Sequence, residues 1–335
     1  MKETLSTPSI RAILFHYDLF PQKLEAIGKI VKVETRYGTF ALKQTKMTRE
    51  EGEWFIHVIR RLDRMNYPFV VPIIPTKYGD YLAMDDHSTY YLMPWYEDHH
   101  EFRHPVQPEE TLIEEIAKLH GLTERVQDYS EESLLESYNH LKKRWDLRKL
   151  EVEKFVDRIE AHTFYSPFEM AFLTHFERVS QMAQEAERNL DLWLEKAKEL
   201  KSYRSVLCHG RVKRNHALFD PYGAAHFINF EKAVLDSPAR DLATLFRHFF
   251  HEEPWNDIDG LHWLAIYEKQ FALFDDERHL FISYLAFPES IYQMMDHYVK
   301  PNRTISELAC VKQLERRLLT MGRIHRLMSE MYKKE

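Results

Sequence analysis

The sequence predicts an α+β protein in which a small antiparallel-sheet lobe precedes a large, mostly helical one. Two observations carry that prediction. Strand-like runs joined by tight turns crowd residues 1–94, and the span from Glu131 to Tyr203 keeps a helical repeat almost throughout, as does the final stretch from Ile305 to Lys333. A chain of 335 residues also exceeds one typical core, so one large bilobal unit or two linked domains are expected.

Taken in order, Ser6 or Thr7 before Pro8 reads as a helix start, with Ile10, Ile13, Leu14 and Tyr17 on one apolar face. Strands over 27–35 and 37–45 flank the turn Arg36-Tyr37-Gly38-Thr39, a hairpin signal with glycine at the tight position. Lys43 lies on the second strand. A helix follows over 48–65, its Trp54, Phe55, Val58, Ile59 and Leu62 spaced for a buried stripe, and Pro68, Pro72 and Pro75 end it. Two more strands, 81–84 and 90–93, are joined by the polar turn Asp85-Asp86-His87-Ser88. Beyond a loop rich in His and Pro, His99 to Pro108, a helix over 111–122 carries Leu112, Ile116 and Leu119 on one face. Within the long helical span Met170, Leu173, Phe176, Val179, Ala183, Ala186, Leu190 and Trp193 recur every three to four residues. No internal repeat or low-complexity linker interrupts the chain, so lobes of 1–94 and 95–335 are expected to fold as one unit.

Composition excludes several function classes. Hydrophobic residues at 44% and charged residues at 30% are ordinary for a soluble globular protein. A formal net charge of -7 supplies no basic field to gather a nucleic-acid backbone. Cys208 and Cys310 cannot build a disulfide framework and form no C-x-x-C pair, which points to a reducing compartment and away from a cysteine-based zinc site. No window is long and apolar enough for a membrane span, and residues 1–8 lack a signal-peptide pattern, so cytoplasmic residence without membrane association is expected unless a partner recruits the chain.

The most specific stretch runs from Leu207 to Asp220 and reads L-C-H-G-R-V-K-R-N-H-A-L-F-D. A strand-like run, Ala225-His226-Phe227-Ile228-Asn229-Phe230-Glu231, then leads through Asp236-Ser237-Pro238-Ala239-Arg240-Asp241-Leu242-Ala243 into an apolar helix. Together these blocks resemble the H-G-D-x-x-x-x-N, I-D-F and D-L-A signature of aminoglycoside-phosphotransferase-like kinases. Within that protein-kinase-like superfamily the sequence is most similar to the spore-coat CotS family and its YutH-type coat-associated proteins. The blocks keep their order over nearly the whole chain. The resemblance therefore implies a bilobal kinase-like fold, with a catalytic-loop-like segment at 207–220, a metal-loop-like segment at 225–243, and Met93-Pro94-Trp95-Tyr96-Glu97 as the hinge of a nucleotide cleft.

Against that pattern, Lys43 in Phe40-Ala41-Leu42-Lys43 matches the strand lysine that meets nucleotide phosphates, unless it is an outward surface lysine. Its helix partner would be Glu53, or else Glu50 or Glu51. A glycine-rich cradle is missing, and the first hairpin offers only Gly28. Arg211 stands at the catalytic aspartate, and a guanidinium neither accepts a proton at working pH nor tolerates magnesium beside it. His216 falls at the asparagine metal-ligand position, or Asn215 does if the register slips by one. Asn229 replaces the aspartate of I-D-F, and a neutral amide is a poor magnesium ligand. His209 and Gly210 shape the loop, and Asp241 resembles the aspartate that holds it through hydrogen bonds.

The three replaced positions read as a pseudokinase with no required metal or cofactor, acting as a structural or assembly factor recruited to the spore coat alongside other coat proteins. Two alternatives stay open. One is an active ATP-dependent small-molecule kinase with displaced carboxylates, for which Asp220, Glu231 and Asp236 are available. The other is a sensor that binds ATP or another anion without metal through Lys43, Arg211, Lys213 and Arg214. His99, His100 and His104 have metal-ligand spacing but sit in a proline-flanked loop that reads as solvated. Lys312, Arg316, Arg317, Arg323 and Arg326 make one side of the last helix basic, a solvated face or a dock for an acidic partner.

Overall fold

The computed structural model describes residues 7–85, 88–128, 130–200, 202–251 and 259–333. Contacts gather them into two compact units, one made of the chain up to Glu115 together with His209–Ala233, the other of Ile116–Cys208 and the chain from Val234 onward.

The first unit begins with helix α1 (Thr7–Phe15) and strand β1 (Lys23–Ile27), followed by β2 (Ile30–Thr35) and β3 (Gly38–Thr45). After helix α2 (Arg49–Arg64) come β4 (Ala83–Met84) and β5 (Thr89–Pro94). The five strands form one antiparallel sheet in the order β1-β2-β3-β5-β4. The expected first strand over 27–35 is two strands, because Gly28 adopts a φ of +64° and turns the chain before Ile30. Residues 81 and 82 stay outside β4, and Asp86 and His87 of the expected turn lie outside the described residues.

Pleating decides which side chains meet. Ile10, Ile13 and Leu14 of α1 pack with Val31, Val33, Leu42 and Leu92 in one apolar cluster. Because side chains alternate along a strand, Ala41 and Lys43 point to the opposite face, where Met93 and Tyr91 stand across from them in register. On α2, Phe55, Val58, Ile59 and Leu62 form the buried stripe, and the Phe55 and Tyr91 rings lie 5.2 Å apart. A capping box starts that helix: the Thr48 hydroxyl accepts from the Glu51 N–H while the Glu51 carboxylate accepts from the Thr48 N–H. Residues 209–233 add the ribbon β8 (Ala217–Phe219) and β9 (Ala225–Phe227).

The second unit is mostly helical. Helix α3 (Pro108–Thr123) leads into β6 (Arg125–Asp128), α4 (Glu131–Glu160) and α5 (Pro167–Leu200). Strand β7 (Ser202–Cys208) pairs with β6 on one side and with β10 (Val234–Asp236) on the other. Helices α6 (Ala239–His251), α7 (Asp259–Gln270), α8 (Asp275–Ala286), α9 (Glu289–Val299) and α10 (Glu307–Tyr332) complete it.

Two expectations need correcting here. The long helical span breaks at 161–166, and Tyr203 belongs to a strand. The break has a local cause: Ser166 and Glu169 bond reciprocally at 3.2 and 2.8 Å around Pro167, which caps and starts α5. The expected face holds from Val179 through Ala183, Ala186 and Leu190, which are buried, but its first turns are carried by Phe168 and Phe172, with Met170 exposed. The basic side of α10 is not one solvated face either. Arg323 turns inward and donates to the Phe250 carbonyl at 2.7 Å, and Arg317 donates to the Gln313 carbonyl, while Lys312, Arg316 and Arg326 face solvent.

Candidate functional site

The pleat of β3 aims Lys43 inward, where burial disfavours an uncompensated ammonium. Its partners come from the segment after β9. Asn229 sits in the left-handed region at φ 72° and ψ 43°, which asparagine tolerates better than most residues, and a single 3-10 turn over Phe230–Lys232 follows. That reversal brings the Asn229 amide oxygen and the Glu231 carboxylate onto the Lys43 ammonium. The Tyr91 hydroxyl, directly across the sheet, donates to the same Glu231 oxygen at 2.7 Å.

The expected helix partner of Lys43 is therefore replaced. Glu53 is exposed and pairs with Arg49 at 3.1 Å, while Glu51 serves the capping box and accepts from Lys232 at 2.6 Å. Burial pushes the Lys43 pKa down and Glu231 pulls it back, but Lys29 and Arg211 nearby leave it below the ordinary lysine value. Burial alone would raise the Glu231 carboxyl; the Lys43 ammonium and the Tyr91 hydroxyl more than offset this and hold it below the usual carboxylate range. Burial, then Glu231, raise the Tyr91 phenol well above its ordinary value, so it stays a donor.

The loop from His209 to His216 is built around two histidines. His209 is fully buried; its Nε2 lies 2.8 Å from the Ile228 carbonyl and its Nδ1 accepts the Arg211 N–H at 3.3 Å. Those partners select the neutral tautomer that carries its proton on Nε2. Gly210 has a φ of +77°, and a Cβ there would lie 1.9 Å from the Lys232 carbonyl oxygen. His216 uses Nδ1 to reach the Arg211 carbonyl at 2.7 Å and stacks on His209 with centroids 5.7 Å apart. Burial is the main cause that lowers its pKa to about 4. Asn215 is exposed and Met93, in the expected hinge, is buried at the end of β5.

Arg211 is exposed, and its guanidinium makes no hydrogen bond or ion pair among the described residues; the same holds for the side chains of Lys29 and Lys213. Arg214 differs: it lies 3.5 Å from Asp98 and packs over the Phe219 ring at 4.1 Å. Of the four cations expected to form an anion pocket, Lys43 and Arg214 are thus already neutralised, and Arg211 and Lys213 are not. Among the candidate displaced carboxylates, Asp220 accepts the N–H groups of Tyr222 and Ala224, and Asp236 engages Arg240 at 2.6 Å. Only Glu231 reaches the lysine.

The residues around Asn229 do not fit a magnesium ion. The Asn229 amide oxygen accepts from Lys43, the His216 Nδ1 is spent on a backbone carbonyl, and Arg211 brings positive charge.

In the helical unit Asp241 is fully buried at the start of α6, with its carboxylate 3.5 Å from the His120 Nε2. His120 bonds the Tyr267 hydroxyl at 2.7 Å through Nδ1. Cys208 completes a group whose ligand-type atoms lie within 4.8 Å of one another, which is the one such group found among the described residues; it does not involve His99, His100 or His104. Burial pushes the Cys208 thiol well up, and it donates to the Ser237 carbonyl at 3.3 Å, so it acts as a neutral core donor.

Sequence reasoning missed Lys29, Tyr91 and His120. Lys29 follows the one glycine of its hairpin, and Tyr91 needed the β3–β5 register, which is not written in either strand alone. His120 carried no signal beyond its place on a buried face.

A sequence model of the family described as "Spore coat putative kinase YutH" matches residues 10–331. Among proteins of curated function, no sequence matches this chain. Solved structures are similar in fold. An aminoglycoside phosphotransferase from Alicyclobacillus acidocaldarius superimposes with a TM-score of 0.76 at 14% identity, covering 100% of this chain and 97% of that one. A spectinomycin phosphotransferase, in complex with ADP and spectinomycin, gives 0.63 at 14% identity over 96% and 99% of the two chains. A microcompartment-associated aminopropanol kinase gives 0.58 at 16% identity over 97% and 98%. The fold is thus that of aminoglycoside-phosphotransferase-like kinases.

The loop geometry makes two outcomes testable. Gly210→Ala is expected to destabilise the protein by more than about 3 kcal/mol, since the new carbon meets a backbone carbonyl at a strained φ; an unchanged urea midpoint would contradict the loop packing. His216 has a folded-state pKa of about 4 against an ordinary 6.5, so between these values the unfolded chain binds the extra proton. Its contribution is complete above the ordinary value and declines as pH falls toward the folded one. Denaturation midpoints measured at both ends of that window should therefore drop in the wild-type chain and drop less in His216→Gln; an equal drop would place the acid sensitivity elsewhere.

Proposed function

The chain belongs to the YutH family of spore coat proteins, and we propose that it serves in the coat as a catalytically inactive, kinase-like structural or assembly factor. The observation that carries this reading is the state of the position that would orient an acceptor hydroxyl. It holds Arg211, a permanent cation, and the carboxylate nearest to it in function, Glu231, is committed to Lys43. Losing a general base alone costs about 10²- to 10⁴-fold in rate. The unfit metal position compounds that loss, because phosphoryl transfer rests on electrostatic stabilisation at the phosphates. Other coat proteins are the partners this role requires, and recruitment from the cytoplasm is the route to them.

One observation favours a second reading. Lys29, Arg211 and Lys213 are cations without a hydrogen-bond or ion-pair partner among the described residues, and the first two act on a lysine that matches the phosphate-binding lysine of kinases. Such a group holds a polyanion without metal, so a nucleotide or another phosphate would act here as a bound effector rather than a substrate. The structurally similar spectinomycin phosphotransferase carries ADP, which makes an adenine nucleotide the first anion to test. An active kinase is disfavoured because its remaining candidate ligands, Asp220 and Asp236, are spent on turns and on Arg240.

Calorimetric titration of ATP is expected to give the same result with magnesium and with EDTA: no heat in either supports the structural role, and equal binding in both supports the effector reading. Binding that requires magnesium would overturn both. In sporulating cells, Arg211→Ala should enter coat extracts at the wild-type level, as judged by immunoblot. Its exclusion from the coat would mean that assembly depends on the cationic position.

A further inference from the structure

The helical unit contains a cavity of about 1010 Å³, at the upper end of the range for small-molecule sites. Helices α4, α5, α6 and α8 contribute most of its lining. Part of the wall is aromatic: Trp145 stacks on Phe287 with centroids 4.3 Å apart and planes at 6°, and Trp193 also faces the space.

The charged groups of the lining fall into two classes. Arg148 is hydrogen-bonded to Asp296 and Glu289, Arg204 to Glu277, and Arg240 to Asp236. Arg247, half-buried on α6, has no hydrogen bond or ion pair among the described residues. Glu289 is the carboxylate that acts on it, and Arg148 already holds that group at 3.3 Å. Burial lowers the Arg247 pKa only to about 10, so it stays charged at neutral pH. Arg144, exposed on α4 at the cavity wall, is likewise without a partner among the described residues. Asp276, also in the lining, makes no ion pair with either arginine among the described residues. Its Oδ1 lacks a partner but is sealed from the cavity space, and burial followed by Glu277 raises that carboxyl to about 6.

A half-buried guanidinium that faces a cavity and has no carboxylate partner is a ready donor for an oxyanion. We propose that this cavity binds a small organic oxyanion, a carboxylate or phosphate monoester with an aromatic or apolar body, held at its charged end by Arg247 and Arg144 and at its body by the Trp145 and Trp193 side of the wall. Planar, multidentate donation suits arginine to either oxyanion. The site lies wholly within the helical unit and is independent of any chemistry at Lys43.

Calorimetric titration of the full chain at low ionic strength with benzoate, phenyl phosphate and neutral benzyl alcohol tests this. At least one of the two anions is expected to bind with one-to-one stoichiometry and benzyl alcohol is not, and the preferred anion identifies the ligand class. Arg247→Gln should weaken that binding by at least about tenfold, as expected for a lost charge-assisted contact, while Arg247→Lys retains part of it. Arg144→Gln, at an exposed position, provides the same test if the Arg247 variants fail to fold. Absence of binding by both anions, equal binding of benzyl alcohol, or undiminished affinity in the folded arginine variants would overturn the assignment.

Discussion

The ion pair between Lys43 and Glu231 is the constraint on which the rest of the sheet unit's site depends. The alternation of β3 leaves no choice about where Lys43 points, so the chain must deliver an anion to it. Removing one partner of a buried pair costs about 3–5 kcal/mol, because the other charge is left desolvated and alone. The segment after β9 meets that demand through a sharp reversal: Asn229 in the left-handed region, then one 3-10 turn. Gly210 is required by the same reversal, since the Lys232 carbonyl occupies the space a side chain would need. Helix α2 is tied to this turn and not to the lysine directly. The Trp54 indole donates to the Ala233 carbonyl at 2.7 Å, and Glu51 accepts from Lys232.

That arrangement shows which residues hold the kinase-like frame together around Lys43. With Glu231 on Lys43, the amide oxygen of Asn229 is enough to complete the ammonium's hydrogen bonding, and an aspartate at 229 would bring a second carboxylate to one ammonium. Asparagine keeps the acceptor and drops the charge. The Arg211 side chain is exposed, where its charge costs little. The loop backbone is held by neutral histidines and a glycine, whose roles are geometric. Shape and chemistry are thus specified by different side chains.

Much of this was legible in the sequence, and the illegible parts share a cause. The α1 face, the α2 stripe, the β2–β3 hairpin and the Arg211, His216 and Asn229 replacements depend on neighbours within a few positions, which a single sequence displays. The pairing of Lys43 was misassigned because Glu53 lies ten residues away on an amphipathic helix, while Glu231 lies far along the chain and arrives only through the αL turn at Asn229. A helical pattern read as continuous through 161–166 hid a cap that was in fact written locally, as Ser166-Pro167-Phe168-Glu169. Arg323 looked solvated by charge alone, although its inward carbonyl partner sits at the end of another helix.

The enclosed cations of this protein can be compared with one another, and the comparison separates structure from function. Lys43 has Glu231 and Asn229; Arg204 has Glu277, Glu124 and the Ala272 carbonyl; Arg323 has the Phe250 carbonyl. Each is accounted for by the fold, and the two carboxylate pairs arise from residues distant in sequence. Such partners are selected because an unpaired interior charge works against folding. Arg247 is half-buried and has no such partner among the described residues, in a helix whose inward residues include Leu242, Leu245, Phe246 and Phe250. A leucine or methionine at 247 would serve packing better than an arginine does. Its charge faces the cavity, where the proposed oxyanion would meet it.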